Sequence, residues 1–161
     1  MKQPSRSRDD STTIVSVEPF SAADSTAVRR LLIDGLTERW GTYEAHFNPD
    51  IESFPLSYVG STILVAKQCE QIVGTGILKA TADDGAHIVR MSVAASHRRC
   101  GIGSRILRRL IAVAGQQGIR ELTLETSTSW TSAVDFYVRC GFRKTRESGG
   151  DTYFAYTLGV T

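Results

Sequence analysis

The sequence predicts a mixed α/β domain, a central sheet of six or seven strands flanked by about four helices, and three observations predict it. Two polar turns, Gln68-Cys69-Glu70-Gln71 and Gly149-Gly150-Asp151, sit between runs of β-branched and aromatic residues and read as hairpins. Between them a strand pattern, a helical pattern and a second strand pattern follow one another from His87 to Thr126, a crossover that makes its two strands parallel. Two further stretches carry apolar residues at helical spacing. A chain of 161 residues has the length of one domain and buries about 69% of its unfolded surface. We expect a disordered tail over 1–11 and a single domain over 12–161.

In chain order, Thr13 to Val17 alternates as a strand, and Pro19 and Ser21 introduce a helix with Val28, Leu31, Leu32 and Leu36 on one face, ending near Gly41. Tyr43 to Tyr58 has two prolines and scattered aromatics without a period and reads as a short helix or loop. Thr62 to Lys67 and Ile72 to Lys79 form the first hairpin, and Asp83-Asp84-Gly85 turns the chain into a strand from His87 to Val93. Ile102, Ile106, Leu110 and Val113 or Ala114 then keep helical spacing until Gly118 stops the helix, and Glu121 to Thr126 alternates as a strand. Trp130, Ala133, Val134 and Tyr137 mark another helix, ended by Gly141. The strands Phe142 to Glu147 and Thr152 to Leu158 form the closing hairpin.

Composition excludes several classes. Hydrophobic residues at 41% and charged residues at 22% belong to a globular domain, not a disordered or collagen-like chain. No apolar run reaches the roughly 18 residues of a membrane span, and the polar start has no apolar secretory stretch, so a cytoplasmic protein off the membrane is expected. Cys69, Cys100 and Cys140 are odd in number and widely spaced, which disfavours both a disulfide framework and a metal site. A net charge of +2 is too small to gather nucleic acid. The distribution of charge says more. His97 to Arg109 carries five arginines and no acids, whereas Asp34 to Ser53 carries Asp34, Glu38, Glu44, Asp50 and Glu52 against Arg39 alone.

The most informative segment is Arg98-Arg99-Cys100-Gly101-Ile102-Gly103-Ser104, between a strand end and a helix start. Two glycines there let the backbone turn tightly and approach a bulky anion, while the helix N-terminus and the arginines add positive charge. The same spacing also suits a plain strand-to-helix turn with a solvated arginine face. No Gly-Lys-Ser/Thr follows and the full Gly-x-Gly-x-x-Gly is missing, which argues against nucleotide hydrolysis and dinucleotide binding. The second segment is Ala133 to Phe142, in which Tyr137 reads either as a core aromatic or as an acid.

Together, Arg98-x-x-Gly101-x-Gly103 and Phe136-Tyr137-x-x-x-Gly141-Phe142 resemble the pyrophosphate motif and the C-terminal helix motif of the GNAT superfamily of acyl-CoA-dependent N-acetyltransferases. The resemblance covers Thr12 to Leu158. It implies a mixed, twisted sheet whose central parallel strands splay apart, with the pantetheine arm of acetyl-CoA in the gap beside Met91, Ser92 and Val93. It places the diphosphate on Arg98, Arg99, Cys100, Gly101, Ile102, Gly103 and Ser104, with Phe136 nearby, and calls for no metal. Two departures stand out. Position 99 is often glycine in the family and is arginine here. The family usually has an asparagine where Trp130 stands, and Trp130 either walls the acceptor pocket, with Trp40 and Tyr43, or simply packs.

The implied reaction is transfer of an acetyl group to a primary amine of a small molecule, or to the α-amino group of an amino acid or peptide, directly within a ternary complex. A backbone N–H near Val93 would hold the oxyanion, and Tyr137 would donate a hydrogen bond to the departing thiolate. His87 occupies the strand position at which histone-type members carry a glutamate and is the candidate base. Glu125, His46, Asp50, Glu52 and a water chain are its rivals. If the acidic stretch Asp34 to Ser53 faces the acceptor, it favours a cationic amine over a free acid. Arg90-Met91-Ser92-Val93 and Leu124-Glu125-Thr126-Ser127 also resemble enzymes that acetylate the α-amino group of amino-acid conjugates, enzymes with a membrane anchor for which no counterpart is expected here. The alternatives are a non-catalytic acyl-CoA-binding regulatory module and a protein or lysine acetyltransferase. A homodimer is left open.

Overall fold

A computed structural model of the chain describes residues 14–159. The expected tail and Thr13 lie outside the described residues. The strand that Thr13 was to open is β1 (Val15–Pro19), which ends two residues later than expected. Pro19 is tolerated at its end because β1 is an edge strand. Ser21 and Asp24 form a capping box on a short 3₁₀ turn, and α1 (Ser25–Trp40) follows. Gly41, at φ 79°, closes α1 by donating its N–H to the Thr37 carbonyl. The segment without a period contains only α2 (Pro49–Glu52) and single 3₁₀ turns.

Strands β2 (Thr62–Gln68) and β3 (Gln71–Ala80) form the expected hairpin. Its turn holds Cys69 and Glu70, both at positive φ, which matches the right-handed twist of the flanking strands. Then come β4 (Gly85–Val93), α3 (Ile102–Gln116), β5 (Glu121–Ser127), α4 (Thr131–Arg139), β6 (Arg143–Ser148) and β7 (Asp151–Thr157). The seven strands form one sheet in the order β1-β2-β3-β4-β5-β7-β6. Among the described residues only the β4–β5 pair is parallel, as the crossover requires. That pair has three rungs, Gly85↔Glu121, Ala86↔Leu122 and His87↔Thr123, and β4 therefore begins two residues before the expected start at His87. Beyond them the strands diverge, although β4 runs on to Val93 and β5 to Ser127.

The sheet separates two cores, and the strands feed both by their two-residue period. On one face Leu64, Ala66 and Val73 meet Ile102, Ile106, Leu107 and Leu110 of α3, and the cluster extends to Val134 and Tyr137 of α4 and to Phe142 and Phe154. On the other, Val65 and Ile77 meet Val28 and Leu32 of α1 with Ile51, Phe54 and Tyr58. Phe142, expected in the last hairpin, instead precedes β6 and is buried, because β6 is an edge strand with every residue exposed.

A bulge interrupts β4. Ile77 faces Val89 and Thr75 faces Ser92, so Arg90 and Met91 together oppose Gly76. Arg90 adopts φ 54°, a left-handed conformation that arginine rarely takes. Gly76 makes the bulge possible by lacking a side chain. A Cβ there would lie 2.5 Å from Met91 Sδ and 2.9 Å from Ile106 Cγ2. Gly76→Ala is therefore expected to destabilise the fold by about 1–3 kcal/mol through overpacking, read as a lower urea midpoint at unchanged slope. An unchanged midpoint would show that the bulge does not need glycine.

Candidate active site

The divergence of β4 and β5 opens a cleft, and two cavities meet in it. One, of about 920 Å³, is lined by Val93, Arg99, Gly101, Ile102, Gly103, Ser104 and Phe136 among others. The other, of about 450 Å³, lies on the α1 side and is lined by Trp40, His87, Arg90, Glu125, Trp130 and Asp151 among others. Arg39, Met91, Ser92, Val93, Arg98, Ala133 and Tyr137 line both and form the seam.

The larger cavity has the character of an anion seat. Arg99 at φ 60° and Gly101 at φ 77° both take the left-handed conformation before α3. Arg105 is the residue whose N–H reaches the Gly101 carbonyl, at 3.1 Å, so the amides of Ile102, Gly103 and Ser104 precede the first helical bond. They carry the partial positive charge of the helix end. Gly103 faces the Phe136 ring, which would lie 3.4 Å from a Cβ there, so its bare backbone leaves room for a ligand against that wall.

Arg98 plays a different part from the one expected. Its Nε donates to the Val93 carbonyl at 3.1 Å and its Nη2 to Glu38 of α1 at 2.9 Å. The Arg98 guanidinium holds the Glu38 carboxyl below its ordinary range. Arg98 thus lines the cavity but ties α1 to the end of β4, and Arg99 is the arginine of the loop left to face an anion. Cys100 does not line either cavity; its Sγ turns back to the Arg98 carbonyl.

At the end of β4, the Ala94 N–H donates to the Val73 carbonyl of β3 at 2.9 Å. Alternate residues of an antiparallel strand bond to the same neighbour, so the N–H and carbonyl of Val93 point the other way, into the cleft. Tyr137 stands across from them on α4. Burial pushes its hydroxyl up to about 12, and its ring packs against Phe136, Phe142 and Phe154. Among the described residues the hydroxyl has no hydrogen-bond partner, and no fully buried side-chain oxygen lacks one, so this oxygen opens onto the seam.

His87 and Glu125 come together as neighbours on the diverging strands. His87 Nε2 lies 2.8 Å from Glu125 Oε2 and Nδ1 lies 2.7 Å from Thr123 Oγ1. With the proton on Nε2 the ring donates to Glu125 and accepts from Thr123, which occupies both nitrogens. Glu125 keeps free lone pairs toward the cavity. The other expected bases are engaged elsewhere. His46 stacks on Phe47 beside Glu44, and Glu52 accepts from Tyr43 and pairs with Arg29.

Asp50 is committed to Arg90. Arg90 Nε and Nη2 donate to its two oxygens at 2.9 and 2.7 Å, Tyr58 donates to it as well, and Nη2 also reaches Asn48. Burial alone would raise the Asp50 carboxyl, but the bonds from Arg90 and Tyr58 outweigh it and hold the carboxyl below its ordinary value. The acidic wall expected from residues 34–53 is therefore not an open negative surface. Glu38, Asp50 and Glu52 are each neutralised by an arginine.

Trp40 and Trp130 do meet at the smaller cavity, with ring centres 5.1 Å apart, and Arg39 Cζ lies over the Trp130 ring, 4.3 Å from its centroid. Tyr43, expected beside them, turns away: it bonds Glu52 at 2.7 Å and packs on the α1-side core. The sequence reading left Arg39, Arg90 and Thr123 out of the site. Only Arg39 left a signal, being next to Trp40 in the last turn of α1.

This fold and cleft define a class of protein. The sequence model of the acetyltransferase (GNAT) family matches residues 26–142, and the chain belongs to that family. Among curated relatives, it is 36% identical to N-acetyltransferase 8B of Rattus norvegicus over 101 residues, 60% of this chain and 46% of that protein. It is 34% identical to the probable N-acetyltransferase camello of Xenopus tropicalis over 99 residues, 60% of this chain and 45% of that protein. The chain thus spans about half the length of these relatives. The GNAT-family acetyltransferase structure from Staphylococcus aureus Mu50 superposes with a TM-score of 0.82 at 19% identity, over 91% of this chain and 100% of that one. The PaiA N-acetyltransferase of Thermoplasma acidophilum, solved with coenzyme A, gives 0.80 at 17%, over 90% and 99%. At such identities the likeness is one of fold.

The Asp50–Arg90 pair makes a prediction about pH. A carboxyl whose folded pKa is depressed contributes stability above its ordinary value of 3.8 and loses it as pH falls through the lower folded value. Asp50→Asn should cost about 2 kcal/mol at neutral pH. It should also flatten the fall of the melting temperature with acid below about pH 4. A variant with the wild-type acid profile would mean that the pair does not clamp the segment.

Proposed function

We propose that this chain is an N-acetyltransferase that moves an acetyl group from acetyl-CoA to a primary amine, directly and within a ternary complex. The observation that carries the reading is that two cavities, one anion-binding and one with a carboxylate–histidine pair, meet at the free end of β4 and at Tyr137. Arg99 and the amides of Ile102, Gly103 and Ser104 hold the diphosphate. The pantetheine arm follows β4 past Met91, Ser92 and Val93, beside Phe136, and brings the thioester to the seam.

Glu125 takes a proton from the ammonium, with His87 holding its carboxylate in place. The free amine attacks the thioester carbon, and a C–N bond forms. The Val93 N–H meets the oxygen as it becomes anionic. The C–S bond then breaks. The second nitrogen proton balances the sulfur, which leaves as a thiol. Tyr137 acts by donating a hydrogen bond, because full transfer of a proton from a hydroxyl near 12 to a thiolate near 8.5 is uphill by about 5 kcal/mol. The acceptor-side cavity, roofed by two tryptophans, suits a small-molecule amine or the α-amino group of an amino acid or short conjugate.

Acetyl-CoA at 100 times its dissociation constant should raise the melting temperature by about 5–10 °C. A shift below a degree at millimolar cofactor overturns the reading, and binding without thiol release for any amine makes the chain a regulatory acyl-CoA-binding module. Tyr137→Phe should lower kcat about a hundredfold with the cofactor-induced shift retained. A fully active variant removes Tyr137 from the site. Glu125→Gln should cost ~10² to 10⁴ in kcat, and His87→Gln less. The opposite order would make His87 the base.

A further inference from the structure

Arg39 lies at the seam of the two cavities without an assigned task. The arginines around it are spent: Arg98 on Glu38 and the Val93 carbonyl, Arg90 on Asp50 and Asn48. Among the described residues Arg39 forms no ion pair and donates no hydrogen bond. Its contact is with the face of Trp130, 4.3 Å away. With no hydrogen-bond partner among the described residues, the five N–H groups of its guanidinium are open to grip a planar anion with two parallel bonds. Loss of solvent, followed by the nearby charge of Arg98, lowers its pKa, so a negative partner would relieve a cost already present.

The position of Arg39 says which anion. It lines both cavities, but its stacking partner Trp130, and Trp40 beside it, line only the acceptor-side one. The diphosphate has its own seat on the far side, at Arg99 and the start of α3. The acids of the acceptor-side cavity are Asp50, Glu125 and Asp151. Asp50 is closed off by Arg90, which leaves Glu125 and Asp151 as its negative pole and Arg39 as its positive one.

Resting on the acetyltransferase reading above, we propose that Arg39 seats a carboxylate of the acceptor. The acceptor is then a primary amine that also carries a free carboxylate, its amine toward Glu125 and its apolar part against Trp40 and Trp130. An amine lacking the carboxylate leaves Arg39 unpaired and is the poorer substrate.

The two tryptophans of the sequence are both in this cavity, so intrinsic fluorescence reports binding there without turnover. The protein with coenzyme A bound is titrated with N-acetyl-leucine and with N-isopentylacetamide, its analogue without the carboxylate. The matching substrates, leucine and isopentylamine, are compared by kcat/KM. The carboxylate should improve both binding and kcat/KM by about tenfold or more, the worth of one charge-assisted pair. Arg39→Gln should bring that ratio close to one, and Arg39→Lys should restore part of it. Equal binding of the two ligands by the wild type, or an undiminished ratio in Arg39→Gln, overturns the proposal. So does an Arg39→Gln protein whose loss is confined to coenzyme A affinity, since Arg39 would then serve the cofactor's phosphates. Carboxylate-selective binding without acetylation of any amine would sink the acetyltransferase reading and leave the subsite standing. Acetylation without selectivity would do the reverse.

Discussion

Parallel strands β4 and β5 are held together by three rungs and then part, and the rest of the site depends on that parting. Each strand keeps its antiparallel partner on the other side, β3 for β4 and β7 for β5, so the sheet survives with a wedge in its middle. Backbone groups along the wedge have no strand to bond to. A ligand with amides of its own, such as a pantetheine arm, can satisfy them. The last shared rung, His87 with Thr123, sets the bottom of the cleft and brings His87 and Glu125 into contact just above it. The bulge at Arg90 turns the strand once more, so that Val93 presents its amide to the cleft.

Charge around the cleft is organised by pairs that cross between elements. Glu38 of α1 meets Arg98 beyond β4, Asp50 of α2 meets Arg90 on β4, and Glu52 meets Arg29 within the α1 side. Each pair neutralises charges that would otherwise face one another across a narrow space, and each pins a segment with few regular hydrogen bonds. Arg90 shows the reciprocal benefit. Its left-handed backbone is unfavourable alone, and a bidentate bond to Asp50 holds it in place.

Much of the fold was legible because it rests on local chemistry. Cys69 and Glu70 sit in a two-residue turn, Gly41 ends a helix at positive φ, and Ile102, Ile106 and Leu110 repeat on one face of α3. The turn from Arg98 to Ser104 and the helix that carries Tyr137 were legible too, since each lies within a short contiguous motif. What escaped depends on partners far away in the chain. Nothing near Arg98 announces Glu38, sixty residues earlier, and nothing near Arg90 announces Asp50, forty residues earlier. The acidic stretch thus read as an open wall when Glu38, Asp50 and Glu52 were already claimed. Tyr43 read as an aromatic near the acceptor, but its hydroxyl found Glu52 and drew the ring the other way. Arg90 at φ 54° could not be foreseen, because only the pairing of Gly76 opposite two residues requires it.

The sheet also divides the molecule's inheritance. The groups lining the larger cavity rest on the core beneath α3 and α4, whereas α1 and the 43–58 segment, which wall the smaller one, rest on the core across the sheet. Substitutions on opposite faces share few neighbours, and such changes combine nearly additively. A lineage can therefore remodel Trp40, Arg39 and the residues around Asp50, and so reshape the smaller cavity, while the loop cradle from Arg99 to Ser104 keeps its form. The wall and the cradle are free to evolve at different rates, and variety among such proteins should collect on the α1 face.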